Sequence, residues 1–266
     1  MSTNTQLGTK VRLERDGFVA TVTLDNPGRR NACSMGMWLA IRDTFAGLAT
    51  SDARVIILTG ANGDFCSGAD LSGGDDPDPG WEGNKVNGMR RLAAAVMAVH
   101  ECPIPVIAKV DGVAVGAGFG LAMAADMLFC SERARFSAIF AKLGLSLDFG
   151  TSWFLAQRVG IHRAKEIALT AEMMDAARAD QLGLLNGVLP TGELDAKVAD
   201  VAARIAAGPP IALSITKRML TNAANTSLAS ALETETLAQN VNIGTTDMTE
   251  AMMAYHEKRT PVFRGE

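Results

Sequence analysis

The sequence lacks the marks of a secreted, disulfide-stabilised or membrane-spanning protein. It contains only four cysteines among 266 residues, and none has the CxxC spacing of a redox or metal-binding pair. It shows no charged-then-apolar leader and no apolar run near the length needed to cross a bilayer. We therefore expect a soluble, cytoplasmic protein without a metal centre. Its cysteines are expected to be reduced thiols in or near the core: Cys33, Cys66, Cys102 and Cys130.

A concentration of positive charge is also missing. Lys and Arg number 25 against 29 Asp and Glu, which gives a formal net charge of −4, and no dense basic tract occurs. This balance argues against a nucleic-acid partner. What the chain does have is 48% hydrophobic residues, enough for the core of one large domain with or without a helical appendage.

The segment from Pro103 to Met127 combines a strand, a glycine turn and a helix. The β-branched run Val106–Val110 predicts a buried strand, and Leu121–Ala125 is made of strong helix formers. A helix that starts at a bare glycine turn presents free N–H groups to an anion or to a developing oxyanion. A tight turn whose glycines serve only packing is the alternative. The small residues of this turn are Gly116, Ala117, Gly118 and Gly120.

Another glycine turn lies earlier in the sequence; it is the first turn in chain order, and the turn at residues 116–120 is the second. Val55–Thr59 predicts another buried strand, and Phe65–Leu71, with the sequence Phe-Cys-Ser-Gly-Ala-Asp-Leu, brings small residues to the end of that strand. An oxyanion hole requires two main-chain donors, and two such turns can supply them. The pair of turns therefore favours a site that stabilises negative charge on a carbonyl oxygen.

The pair Ser-Gly-Ala-Asp-Leu and Gly-Ala-Gly-Phe-Gly, separated by a helix-sized segment, resembles the crotonase superfamily, also called the enoyl-CoA hydratase/isomerase family. The resemblance runs from about Val11 to Phe263. It implies the α/β crotonase (ClpP-like) fold, with a spiral of repeated β-β-α units over residues 1–208. A C-terminal helical oligomerisation region over residues 209–266 would follow, and the protein would form a homotrimer or a dimer of trimers.

The resemblance also implies an acyl-CoA substrate, with CoA as part of that substrate and no prosthetic group. The oxyanion donors map to the N–H groups of Ala69 and Ala117, which would bind the thioester carbonyl and stabilise its enolate. Tyr255 and Lys258 are expected to reach CoA held by a neighbouring subunit. The remaining positions expected to contact CoA lie in the loop Asn26–Ala32 and beside the two turns: Arg29, Arg30, Ala32, Gly68, Asp70, Leu71 and Gly116. Asp70 is also expected to stabilise its turn.

Two glutamates that the hydratase members use are missing from this sequence. The first of these positions is Gly120 and the second is Phe140. A hydratase holds its water between two carboxylates, one acting as base and the other as acid, and neither residue can do this. Simple hydration is therefore disfavoured.

Asp148 is the acidic residue between Arg133 and Lys165. It lies eight residues after Phe140, at a third family site where some isomerase members carry an aspartate that moves a proton along the acyl chain. The apolar neighbours Leu145, Leu147 and Phe149 would raise its pKa, which helps a base return the proton it has taken. We predict that Asp148 is catalytic; the alternative is that it caps a helix starting near Gly150.

Other activities stay open at this stage. Gly120, the aromatic Phe140 and Asp148 also match the 4-chlorobenzoyl-CoA dehalogenases, but the histidine of those enzymes corresponds to Ala93. Hydration with a single carboxylate is a second alternative. Because both glutamates are absent, a further alternative is a non-catalytic acyl-CoA binder or a family member recruited to RNA.

Local patterns complete the sequence prediction. Asp16-Gly17 between two alternating runs predicts a hairpin, and Ser34 is expected to cap a helix that runs to Ala49. A helix is predicted over Lys85–Glu101 with one apolar stripe: Val86, Met89, Ala93, Val96, Met97 and His100. Residues 72–84 are almost without apolar side chains, which predicts either a lid over the acyl pocket, anchored by Trp81, or a plain surface loop. From Ile211 to about Lys258 the chain is expected to be helical.

Overall fold

The structure is a computed structural model that describes residues 3–6 (backbone only), 10–72 and 84–266. Within these residues the main sheet has seven strands in the order β1-β2-β3-β4-β5-β7-β10. Strand β2 is antiparallel to both of its neighbours, β1 and β3, and the strands from β3 onward run parallel. The strands are β1 (Thr3–Gln6), β2 (Val11–Asp16), β3 (Val19–Leu24), β4 (Val55–Gly60), β5 (Val106–Val110), β7 (Met127–Ser131) and β10 (Gly187–Leu189).

A smaller three-stranded sheet lies beside the main one. It consists of β6 (Val113–Val115), β8 (Arg135–Ser137) and β9 (Met174–Asp175), with β6 parallel and β9 antiparallel to β8. Cys66 pairs with Ala114 in an isolated parallel bridge, so the first glycine turn is joined to this second sheet.

Helices connect and cover the strands. Those of the first part of the chain are α1 (Met35–Leu48), α2 (Lys85–His100), α3 (Ala117–Ala124), α4 (Thr151–Val159), α5 (Ile161–Thr170), α6 (Ala176–Gln181) and α7 (Leu194–Ala206). The last three are α8 (Pro210–Asn222), α9 (Leu228–Ile243) and α10 (Thr246–Glu257). None of the described helices alone is long and apolar enough to cross a membrane; the segments 194–206 and 210–225, bent by 110°, pass that test only as a pair.

The parallel strands are buried on both faces. Because successive side chains of a strand point to opposite faces, Ile56 and Leu58 enter the large core with helices α1, α2 and α3, whereas Val55 faces the other way. On that second face Val55, Ile107 and Phe129 pack against helix α7. This two-sided burial explains why β4 and β5 are apolar at successive positions, with Lys109 as the exception in β5.

Most predicted elements are confirmed. The hairpin forms, but its loop is Gly17 and Phe18 and not the predicted Asp16-Gly17, because Asp16 still pairs with Val19. Ser34 caps helix α1, and all four cysteines are free and buried. The helix after the second turn starts at Ala117, four residues before the strong helix formers, since Gly116 adopts φ 57° and ψ −123° and lets the chain enter the helix at once.

The predicted apolar stripe of helix α2 is only partly right: Val96 is buried and Met89 packs against the core, but three other members are exposed. Val86 and Met97 are 57% and 45% exposed, and Ala93 is exposed as well. The buried face is formed by a neighbouring set at the same spacing: Leu92, Ala95, Val96 and Val99. Apolar residues lie on more than one side of this helix, so their periodicity alone does not show which set faces the core.

The C-terminal segment is helical but not continuous. The stretch predicted as one helical block breaks near Thr226 and at Gly244 into helices α8, α9 and α10. Arg54 on the edge of β4 donates to the carbonyl oxygens of Ala206 and Phe263, at 3.2 and 2.9 Å, and so ties the end of the chain to the core. The division at residues 208 and 209 remains a prediction.

Candidate active site

The two glycine turns lie in direct contact. A Cβ atom added at Gly118 would clash with the carbonyl oxygen of Cys66 and would lie 2.9 Å from the Cys66 Cβ. A Cβ atom added at Gly68, which has φ 104°, would lie 2.9 Å from the carbonyl oxygen of Val115 and 3.6 Å from the nitrogen of Ala117. The glycines therefore serve packing, as the alternative interpretation had it, and this same packing places the two turns side by side.

Both predicted oxyanion donors are free to bind a ligand. Ala69 pairs with Cys33 in an isolated bridge whose hydrogen bonds use the nitrogens of Cys33 and Asp70, not that of Ala69. Ala117 is the first residue of helix α3, so its N–H group has no partner within the helix. Across the described residues, neither nitrogen donates to a protein acceptor. Two free N–H groups from contacting turns, one of them at a helix start, are suited to a developing oxyanion.

The loop Asn26–Ala32 is fastened to the first turn. The buried Asn31 side chain donates to the carbonyl oxygens of Ala61 and Asp64 and accepts from the nitrogen of Asn26. Ser67 donates through its nitrogen to Arg30 and through its hydroxyl to the carbonyl oxygen of Arg29. The predicted CoA-contacting residues Arg29 and Arg30 are exposed beside this turn, and Ala32 is buried within it. Sequence reasoning missed Asn31, because its role depends on a contact 33 residues away.

Asp70 stabilises its own turn, as predicted. Its Oδ1 accepts from both the nitrogen and the hydroxyl of Ser72, and these hydrogen bonds lower the pKa of the carboxyl. Arg29 and Lys10 add a smaller electrostatic contribution in the same direction. A group held as an ionised hydrogen-bond acceptor is poorly suited to donate protons, so Asp70 is not a general acid. Leu71 is exposed at the surface next to it.

Gly120 has no room for a side chain. A Cβ atom at this position would lie 2.5 Å from the carbonyl oxygen of Phe149, 2.8 Å from the Phe149 Cβ and 3.0 Å from the Thr151 Oγ1. The space next to the oxyanion helix is therefore filled by the 148–151 turn. Phe140, at the second glutamate position, is buried, and its ring lies 4.0 Å from a Cβ atom placed on Gly116. Neither position offers a carboxylate.

Asp148 precedes a strained turn. Phe149 has φ 49° and Gly150 has φ 70°, both left-handed, and the phenylalanine pays about 1–2 kcal/mol for that conformation. The Phe149 ring packs on Trp38 at a centroid distance of 4.4 Å, which holds it in place. Strain of this kind, when observed, is often found at functional sites.

The Asp148 carboxyl is half-buried and lacks a countercharge. Burial alone raises its pKa to about 6. Its Oδ1 and the Thr151 Oγ1 are two of the buried side-chain atoms that have no hydrogen-bond partner within the described residues. Helix α4 is capped by Gly150 without a side-chain hydrogen bond, so Asp148 is not the helix cap of the alternative interpretation. No sequence motif marks Thr151.

The remaining predicted residues lie elsewhere. Tyr255 and Lys258 are exposed at the end of helix α10, so their contact with a neighbour's CoA stays a prediction. Of the predicted lid, residues 73–83, including Trp81, lie outside the described residues; Asn84 caps helix α2. His100 packs against Trp153 and Phe154, and Asp126 binds the Val106 nitrogen and Lys217, so both have structural contacts. The described residues contain no group of three or more His, Cys, Asp or Glu placed to hold a metal ion.

Comparison with known proteins agrees with this geometry. Residues 14–266 match the family model described as enoyl-CoA hydratase/isomerase. The chain is 34% identical over 259 residues to a Rhodobacter capsulatus protein named "Probable enoyl-CoA hydratase", covering 96% of this chain and 98% of that protein. It is 32% identical to the peroxisomal Delta(3,5)-Delta(2,4)-dienoyl-CoA isomerase of Arabidopsis thaliana, covering 95% of each.

Solved structures give the same assignment. An enoyl-CoA hydratase from Bacillus anthracis superposes with a TM-score of 0.90 at 28% identity, over 97% of this chain and all of that one. A Thermobifida fusca YX protein in complex with acetoacetyl-CoA superposes with a TM-score of 0.81 at 32% identity, over 88% of this chain and 94% of that one. The α/β architecture, the paired glycine turns and these matches together show that the chain is an enzyme of the enoyl-CoA hydratase/isomerase family, the crotonase superfamily.

Proposed function

We propose that the protein is an enoyl-CoA isomerase that moves a carbon–carbon double bond of an acyl-CoA. The N–H groups of Ala69 and Ala117 bind the thioester oxygen. The ionised Asp148 removes a proton from the α-carbon of a 3-enoyl-CoA, which leaves a dienolate whose charge rests on that oxygen. The protonated Asp148 then returns the proton to the γ-carbon and gives the conjugated 2-enoyl-CoA, so one carboxyl group serves both steps.

The environment of Asp148 carries this proposal. A pKa of about 6 leaves the group mostly ionised at neutral pH but basic enough to hold a proton between the two steps. Within the described residues the Asp148 carboxyl forms no ion pair and does not cap a helix. The position that would supply a second carboxylate, Gly120, is closed by the Phe149 turn.

CoA recognition and assembly are part of the same proposal. The loop with Arg29 and Arg30 is fixed to the first oxyanion turn, where cations would meet the phosphates of the cofactor portion. The binding of acetoacetyl-CoA by a structural neighbour supports an acyl-CoA ligand. Exposed apolar side chains on helix α9 support assembly into a trimer or a dimer of trimers, in which Tyr255 and Lys258 of one subunit would reach CoA of the next.

Hydration of a 2-enoyl-CoA is the second candidate, because the Rhodobacter relative is named a hydratase. It would require Asp148 alone to position and activate the water. The ultraviolet absorbance of the conjugated thioester separates the two reactions. We expect absorbance to rise when purified protein is given a 3-enoyl-CoA. A fall seen only with a 2-enoyl-CoA would mean that water adds and that the isomerase assignment is wrong.

The role of Asp148 is tested in the same assay. Asp148→Asn removes the proton carrier while keeping the size of the side chain, so we expect kcat to fall about 10²–10⁴-fold with CoA affinity retained. Asp43→Asn, on the exposed face of helix α1, is the matched control and should leave kcat unchanged. Full activity of Asp148→Asn would remove Asp148 from the mechanism.

A further inference from the structure

The segment Asp148–Thr151 forms a β-turn that brings its first and last side chains together. The Thr151 nitrogen donates to the carbonyl oxygen of Asp148 at 2.9 Å. Both central residues have positive φ, and Gly150 has ψ 0°, the pattern of a type I′ turn. The Cα atoms of the first and fourth residues of such a turn lie within about 7 Å of each other.

The two side chains at the ends of this turn share an unusual property. The Asp148 Oδ1 and the Thr151 Oγ1 are both buried, and among the described residues neither has a hydrogen-bond partner. Thr151 is fully buried, so bulk water does not satisfy its hydroxyl. Buried polar groups are rarely left unpaired, because each costs about 1–3 kcal/mol. A carboxylate and a hydroxyl on Cα atoms this close can meet after one χ1 rotation.

We propose that Thr151 is a positioning residue for Asp148, whose ionised Oδ1 accepts a hydrogen bond from the Thr151 hydroxyl. The contact holds one carboxylate oxygen against the turn and leaves the other to take up the substrate proton. The strained Phe149 holds the turn in this conformation, since its ring packs on Trp38 and its carbonyl oxygen lies against Gly120. The inference assigns a hydroxyl group to the site, and its catalytic meaning rests on the proposed isomerase function.

Few other groups compete for Asp148. Burial is the only cause of its raised pKa, so no charged side chain of the described residues acts on it appreciably. The elements packed against the turn present Trp38 from helix α1 and Gly120 from helix α3, neither of which titrates. Lys142, the nearest charged residue along the chain, is exposed. A change in the titration of Asp148 after substitution of Thr151 therefore reports their contact.

The test follows the carboxyl group itself in the resting protein. Infrared difference spectra recorded against pH show the C=O band of protonated Asp148, assigned by its loss in Asp148→Asn. A hydrogen bond donated to the charged form lowers a carboxyl pKa. We therefore expect Thr151→Val, which keeps the shape and removes the hydroxyl, to raise the pKa of Asp148 by about one unit. Thr151→Ser, which restores the donor, should stay close to the native value.

Thr44→Val is the matched control, because it also removes a buried hydroxyl, one that donates to the Ala40 carbonyl oxygen on helix α1. It should leave the Asp148 band unmoved. An unshifted band in a folded Thr151→Val protein overturns the proposal. If Thr151→Val fails to fold, Thr151→Ala against Thr151→Ser decides by the same shift. The titration needs no turnover, so the two proposals can fail separately. If the native protein has no isomerase activity but Thr151→Val shifts the Asp148 band, only the isomerase function is refuted. If the native protein is active but Thr151→Val leaves the band unshifted, only the Thr151 contact is refuted.

Discussion

At the scale of single residues, the charge of Asp148, the proposed proton carrier, costs stability. Burial raises the pKa of Asp148 to about 6 in the folded protein, above the 3.8 that is ordinary for an exposed aspartate, so folding favours the protonated form. The corresponding stability is fully present below about pH 3.8 and is lost as pH rises through 6. Around neutral pH the protein therefore bears the cost of an ionised, half-buried carboxylate without a countercharge.

Asp148→Asn is expected to stabilise the protein at pH 8, because it removes that charge. One pKa unit corresponds to about 1.4 kcal/mol, but solvent screens a half-buried group, so we expect a gain of only about 1 kcal/mol. The gain should shrink at pH 5, which lies between the unfolded pKa of 3.8 and the folded pKa of about 6, because Asp148 is then mostly protonated in the folded protein and the cost of its buried charge is only partly felt. Urea denaturation at the two pH values measures the difference.

Asp126→Asn is the control with the opposite sign. Asp126 is paired with Lys217 at 2.7 Å and accepts from the Val106 nitrogen, so its neutralisation should destabilise the protein at pH 8. If Asp148→Asn destabilised the protein in the same way, the carboxylate would have a countercharge in the folded protein, and the raised pKa on which its role as a proton carrier depends would be contradicted.

Single residues also mark the limit of what the sequence predicted. The absence of both glutamates and the presence of Asp148 could be read directly, because they are matters of residue type at motif positions. The left-handed Phe149 and the buried Thr151 could not, since φ and burial at these positions depend on Trp38 and Gly120, which are distant in sequence. The proposed proton carrier could be named from the sequence, whereas the residues that pack around it could not.

At the scale of elements, the contact between helix α3 and the 148–151 turn decides what chemistry the fold can host. Any side chain at position 120 would clash with Phe149, because Phe149 occupies the space beside Gly120. A glutamate could not be restored there by a single substitution. Packing as well as sequence therefore excludes a second carboxyl group at position 120.

Gly120→Ala is expected to destabilise the protein by about 1–3 kcal/mol, despite the better helix propensity of alanine, because its Cβ overpacks against the Phe149 backbone. Gly47→Ala in helix α1 is the matched control. No atom lies within 4 Å of its added Cβ, so it should stabilise by up to about 1 kcal/mol. Chemical denaturation measures the change in unfolding free energy of both variants. Equal changes of the same sign would show that the 148–151 turn shifts to make room for the new side chain.

Elements were predicted well where one signal dominated. Strand β4 begins with the apolar run Val55–Leu58, β5 is apolar apart from Lys109, and Ser34 caps helix α1 through the Met37 nitrogen. Helix α2 was placed correctly, but its buried face was misassigned, because apolar residues lie on more than one side of it. Which side meets the core is settled by the tertiary contact with helix α1, not by local periodicity.

At the scale of the whole molecule, the C-terminal helices are only partly accounted for by one chain. Helix α8 has no fully buried residue, and helix α9 has one, Ala238. Large apolar side chains stay exposed along these two helices: Leu220, Leu228, Leu232, Leu237, Val241 and Ile243. A contiguous exposed apolar surface of this extent is typical of an interface, which supports the predicted oligomerisation region.

Leu237→Glu should therefore weaken assembly, since it places a charge at a 60% exposed leucine in the middle of helix α9. We expect the native protein to sediment at three or six times the mass of one chain, and the variant to show a smaller, concentration-dependent species. The matched control is Leu169→Glu on helix α5, which changes an even more exposed leucine, at 76%, outside the C-terminal helices. Because the control adds the same charge, any general effect of glutamate on solubility appears in both variants. A native protein that sediments as one chain, or two variants that dissociate equally, would contradict the assignment of residues 209–266 to assembly.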